Sequence, residues 1–149
     1  MTNKLRMNRL VFAILTTLAC GTVWAHDGKH CSPSTLSGNY VFSATGYGMP
    51  AGVWAPKAIV EVIHFNGDGT LVVPAATVAN RAGDGQVVAS PPNGTGTYTV
   101  IDNCTGTLNF TNGPSFNLAI DPKGDEVWMI QTNPNNVLQG SAKRVSRTD

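Results

Sequence analysis

The sequence predicts an all-β fold: a small antiparallel up-and-down barrel of roughly eight or nine strands, carrying one disulfide. Three observations predict it. Short runs of alternating apolar and polar residues recur from Gly38 to Val145. Clusters of Gly, Pro, Asn and Asp separate them. No helical period of useful length occurs over residues 26–149. A meander of this kind leaves two unpaired edges, which closure into a barrel removes. A two-sheet sandwich satisfies the same alternation, and the sequence leaves that alternative open.

In chain order, residues 1–25 read as a secretory signal peptide. Lys4, Arg6 and Arg9 form a basic start, an apolar run follows from Leu10, and Val23-Trp24-Ala25 offers small residues for cleavage. The apolar run is too short for a permanent membrane span. Cleavage after Ala25 gives a mature chain starting at His26, exported to the periplasm or secreted. Thr17-Leu18-Ala19-Cys20-Gly21 loosely resembles a lipoprotein cleavage box, but Thr17 stands where that box usually has Leu. Lipidation at Cys20 therefore ranks below ordinary cleavage.

Three of the ten Lys and Arg residues leave with residues 1–25, and none of the nine acids does. The remaining seven against nine give a net charge of −2. That balance argues against nucleic-acid binding, which wants a basic face. Cys31 and Cys104 remain as an even pair in an oxidising compartment, most simply a disulfide. No CxxC pair accompanies them, so a structural staple is the expected role rather than a redox one.

Residues 26–37 are polar and read as an N-terminal tail; residues 38–146 read as the barrel domain. Tyr40, Phe42 and Ala44 alternate with Val41 and Ser43 in a first strand. Gly46, Gly48, Pro50, Gly52 and Pro56 mark residues 46–56 as a loop holding Trp54. Residues 57–65 form the most apolar strand, closed by Asn66-Gly67-Asp68-Gly69, a strong hairpin signal. Residues 70–78 form a strand in which Pro74 marks an edge or a bulge. A short strand over 86–90 ends at Pro91-Pro92-Asn93-Gly94. Clean alternation then runs through Tyr98 and Val100, through Gly106, Leu108 and Phe110, and through Phe116, Leu118 and Ile120. Strands over 126–132 and 137–145 complete the set.

Several of these segments form a recognisable set. They are Leu36-Ser37-Gly38-Asn39-Tyr40-Val41-Phe42 behind a cysteine, Phe65-Asn66-Gly67-Asp68-Gly69-Thr70, Gly94-Thr95-Gly96-Thr97-Tyr98-Thr99-Val100, and Cys104-Thr105-Gly106-Thr107-Leu108. Together they resemble a broad group of exported bacterial proteins of unassigned function with lipocalin-like (calycin) or allene-oxide-cyclase-like barrels. The resemblance covers most of residues 31–145. It implies a small barrel with an apolar cavity and transfers no catalytic residue.

The strand over 57–65 is apolar on both faces: Ile59, Glu61, Ile63 and Phe65 on one, Ala58, Val60, Val62 and His64 on the other. One face is expected to line the barrel and the other to meet a loop or a second copy, as in a homo-oligomer. Glu61 is the most informative acid, because a carboxylate among large apolar neighbours is costly unless paired. One reading makes it a general acid or base in the cavity. The other pairs it with Arg81 or Lys57, or places it at a solvated interface. A regular strand sends Glu61 and His64 to opposite faces, so no dyad is expected of them unless a bulge intervenes.

Tyr40, Phe42, Tyr98, Phe110, Phe116 and Trp128, with Trp54, form a large aromatic set that lines a pocket for an apolar or aromatic ligand or fills the barrel. The amine and imidazole of His26 form a copper-chelating unit after cleavage, with His30 or His64 as third ligand; a solvated terminus is the simpler reading. No phosphate loop, nucleophile elbow, paired-cysteine zinc motif or HExxH occurs, so no organic cofactor is expected.

Three functions follow as expectations: an apolar-ligand or partner binder, a cofactor-free cyclase or isomerase using Glu61, and a copper protein built on His26. The first is the preferred reading.

Overall fold

The alternation along the chain becomes nine strands in the computed structural model, which describes residues 30–49, 52–80, 87–90 and 93–147. They are β1 (Ser37–Gly48), β2 (Ala55–Asn66), β3 (Thr70–Asn80), β4 (Val87–Ser90), β5 (Gly94–Val100), β6 (Thr105–Phe110), β7 (Ser115–Ile120), β8 (Glu126–Gln131) and β9 (Asn136–Ser146). Consecutive strands pair antiparallel, except β4 and β5, which both pair with β3. The additional β1–β9 and β3–β5 pairings close eight of them into a ring, β1-β2-β3-β5-β6-β7-β8-β9. The fold is therefore a barrel and not a sandwich, and is consistent with a lipocalin-like architecture. The ninth strand, β4, stands outside the ring and, among the described residues, pairs only with β3.

Pro74 explains that departure from a simple meander. Val62 pairs with Ala75 and His64 with Val72, so Val73 and Pro74 together oppose one residue of β2. This is a β-bulge, a position that tolerates the missing proline donor. On one side of the bulge Thr70–Val73 pairs with β5; on the other Ala76–Ala79 pairs with β4. Because β5 begins only at Gly94, opposite Val73, it does not cover the far half of β3.

One end of the barrel is closed. Cys31 is bonded to Cys104, with the two Cα atoms 4.9 Å apart, and its backbone N–H donates to the Asp102 carbonyl. A 3-10 turn, Pro33–Thr35, follows, and Leu36 is completely buried. The Tyr98 hydroxyl lies 2.9 and 3.0 Å from the carbonyls of Pro33 and Leu36, and the Arg144 guanidinium donates to the Thr35 carbonyl. The segment expected as a polar tail thus ends as a plug under the barrel. Leu36 supplies the burial and the disulfide the anchor.

Above the plug the core consists of two aromatic groups. Tyr40, Phe65 and Tyr98 meet edge-to-face with centroids 5.0 Å apart, and Phe42, Phe116 and Phe110 form a second chain at 5.8 and 6.0 Å. Such geometry sets the positive ring edge against the negative face. Outward positions carry hydroxyls instead, with Thr99 paired to Thr107 and Thr95 to Thr111 across strands. Val60 on β2 is also outward and 56% exposed, and Val41 on β1 is outward and 38% exposed.

The loop expected over residues 46–56 is shorter than the glycine and proline content implied. Gly46 and Gly48 belong to β1, and Ala55 and Pro56 to β2. Gly46 serves close packing rather than a turn: a Cβ there would lie 1.9 Å from the Val137 carbonyl oxygen.

Candidate functional site

The late start of β5 leaves the barrel wall incomplete between β3 and the β6–β7 turn. A cavity of about 430 Å³ opens there. Its walls come from Ile59 on β2, Val73, Ala76 and Val78 on β3, and Phe110 and Phe116 around the β6–β7 turn. Asn93, Thr95 and the 111–114 turn form the polar rim. Lys57 and Glu61 lie on the same inward face of β2 as Ile59.

Glu61 is 9% exposed, beside Phe42 on β1 and Ala76 on β3 in register. Its Oε1 has no hydrogen-bond partner among the described residues. Burial without compensation raises its pKa from 4.5 to about 7. The carboxyl therefore populates both protonation states near neutrality, able to donate in one and accept in both.

The pairing offered for it by Lys57 is not made. Lys57 lies four residues toward the strand's start, about 13 Å away along the backbone, and its Nζ donates instead to Asn136 Oδ1 at 3.5 Å. No carboxylate lies in salt-bridge range of Lys57 among the described residues, and burial lowers its pKa. The other suggested partner, Arg81, lies outside the described residues.

The aromatic residues separate into three groups. Phe110 and Phe116 line the cavity, and Phe42 packs behind Phe116. Tyr40 and Tyr98 belong to the closed end, where their hydroxyls are held by the Gly124, Pro33 and Leu36 carbonyls, and neither lines this cavity. Trp128 faces away from the interior altogether: it is 51% exposed on the outer face of β8, between Ala119 and Ser141. The alternation accounts for this, since Val127, Met129 and Gln131 take the inward positions. Trp54 is also exposed, in the β1–β2 loop.

Glu61 and His64 face opposite sides, as strand alternation requires, and His64 Nδ1 is 2.8 Å from Asn39 Oδ1 on the outer surface. His30 is exposed near the disulfide, and no group of three metal-ligating side chains occurs among the described residues. His26 and the signal-like segment 1–25 lie outside the described residues.

Gln131 is a residue that sequence reasoning passed over. It is 8% exposed and points inward; its Nε2 lies 3.3 Å from Asn133 Oδ1, while its Oε1 has no partner among the described residues. The inward spacing Val127, Met129, Gln131 was the signal that could have found it.

Against this geometry, no protein-family model, curated protein or solved structure matches the chain.

Proposed function

We propose that this protein is an exported barrel that binds a small apolar or aromatic ligand in the side-opening cavity. One observation carries the reading. The wall is mainly apolar and aromatic, yet beside Lys57 a buried carboxyl is set into it, with Oε1 unpartnered among the described residues. Pockets of this composition bury a ligand's apolar body and use few polar groups to orient it. A barrel built only for stability gains nothing from an unpartnered carboxyl, because an apolar side chain of similar size avoids the desolvation cost. Resemblance to exported lipocalin-like and allene-oxide-cyclase-like barrels supports the same assignment, and the signal-like residues 1–25 support export.

The test is native mass spectrometry of protein recovered from the export compartment with no tag at its mature start. Co-purification of an organic mass, lost when Val78→Trp fills the cavity, is the expected result. A second reading, a cofactor-free cyclase or isomerase, draws on the same carboxyl. A group with a pKa of about 7 is poised to move a proton at neutral pH. In that case the co-purifying compound is turned over by the protein, and Glu61→Gln abolishes turnover while preserving binding.

A further inference from the structure

We propose that the ligand is an elongated amphiphile with a hydroxyl at its buried end and a carboxylate at the mouth, held by Glu61 and Lys57 respectively. This rests on the cavity-binding reading above and specifies the chemistry of its occupant.

The argument starts from β2. Lys57, Ile59 and Glu61 occupy successive inward positions along one cavity wall, so the wall reads cation, apolar, carboxyl. The ammonium lies toward the strand's start at the β1–β2 end, where its neighbour is Asn136 at the start of β9. The carboxyl lies farther in, with Oε1 unpartnered among the described residues. A simple fatty acid satisfies Lys57 but sets a methyl group against the unpartnered carboxyl. An apolar amine satisfies ionised Glu61 but leaves Lys57 without its anion and adds a second cation to the same cavity. A hydroxy acid satisfies both ends.

The inner group is a hydroxyl rather than an ammonium for a second reason. Glu61 is shared between neutral and ionised forms near pH 7. A hydroxyl donates to the ionised form and both donates to and accepts from the neutral one, whereas an ammonium has no use for the acid's proton. Length agrees as well: the separation of about 13 Å along the strand is spanned by an extended chain of roughly ten carbons. Facing it across the cavity, Phe110 and Phe116 supply an apolar wall for such a chain.

The test is calorimetric titration of disulfide-intact protein with 10-hydroxydecanoic acid, decanoic acid, decan-1-ol and decylamine. Glu61→Leu, Glu61→Gln, Lys57→Met and Val78→Trp are titrated alongside, each checked for native circular dichroism. The hydroxy acid is expected to bind about tenfold or more tightly than decanoic acid. Glu61→Leu removes that preference and Glu61→Gln retains it. Lys57→Met weakens both acids about equally and leaves decan-1-ol unchanged. Equal affinity for the two acids, a preference that survives Glu61→Leu, or tightest binding by decylamine overturns the hydroxy-acid assignment. In those outcomes, binding that Val78→Trp blocks leaves the cavity reading standing. Failure of every probe to bind, or binding indifferent to Val78→Trp, overturns the cavity reading and this inference together.

Discussion

The Arg144 guanidinium donates from Nε to the Tyr40 hydroxyl at 2.9 Å while its central carbon stands 5.4 Å above the centroid of the same tyrosine's ring. The two side chains join the first and last strands of the ring. Arg144 also donates to the Thr35 carbonyl at 2.9 Å and pairs with Asp125 at 3.4 Å, and its side chain is only 9% exposed. The Tyr40 hydroxyl in turn donates to the Gly124 carbonyl. Gly124 is fixed by the same cluster: its φ is +71° and a Cβ would lie 2.0 Å from the Thr35 oxygen. One cation therefore serves the plug, the β7–β8 turn and the barrel seam at once.

Arg144→Met is expected to destabilise the protein by about 2–4 kcal/mol, because it leaves the Thr35 carbonyl and the Tyr40 hydroxyl short of a donor in a part-buried setting. Tyr40→Phe should cost less, about 1–3 kcal/mol, since the ring packing against Phe65 survives. Urea unfolding of both variants measures this. A loss below about 0.5 kcal/mol for Arg144→Met would sink the account.

The Cys31–Cys104 bond closes a sequence separation of 73 residues and holds the plug against the Asp102 carbonyl. Its removal in the double variant Cys31→Ser, Cys104→Ser is expected to cost about 2–4 kcal/mol. Hydrogen exchange should then accelerate first at the Cys31, Thr35 and Leu36 amides, the first docked against the Asp102 carbonyl and the others closing the 3-10 turn. Uniform acceleration over the whole barrel would contradict a local anchoring role.

Period-two patterning made the barrel legible, since each of Tyr40, Phe42, Ile59, Ile63, Leu108, Phe116 and Leu118 is inward as the alternation requires. It also made Glu61 legible as a buried acid, because its neighbours at two-residue spacing are all large and apolar. Three things were hidden. Trp128 belongs to the aromatic set by its chemistry, although its odd-even position against Val127 and Met129 sends it outward. Leu36 was lost in a polar stretch, because a single apolar residue carries no period. The open side of the cavity depends on which partner β3 takes beyond Pro74, and partner choice over that distance is set by tertiary pairing rather than local pattern.

Gly46 illustrates a further ambiguity, since a glycine signals a turn or a close approach with the same letter. Its place in β1 opposite Leu138 makes it a close approach. Gly46→Ala is expected to destabilise by about 1–3 kcal/mol through forced separation of β1 from β9. Gly52→Ala, in the loop where a Cβ meets nothing within 4 Å, should cost less, limited to the strain of its φ of +80°. Thermal unfolding of the two variants side by side tests the assignment. A larger loss at Gly52 would return Gly46 to the role of a turn residue.

Glu61 gives the stability a pH dependence of defined sign. Its pKa is about 7 in the fold against 4.5 for the ordinary group. Below pH 4.5 both states hold the proton and burial of the carboxyl exacts no ionisation cost. Between 4.5 and about 7 the unfolded chain releases the proton while the folded protein keeps it, so stability falls as pH rises, by at most about 1.4 kcal/mol per unit. Above 7 both states are ionised and the loss is constant, about 3 kcal/mol in total. Glu61→Gln cannot titrate and should lack this component. Urea unfolding of both proteins from pH 4 to 8 isolates it, because contributions from every other group cancel in the difference. The two curves are expected to diverge by about 3 kcal/mol across that window, with the glutamine variant gaining relative stability toward high pH. Parallel curves would mean that Glu61 is ionised and stabilised in the fold, and would remove the neutral-acid chemistry on which the hydroxyl assignment draws.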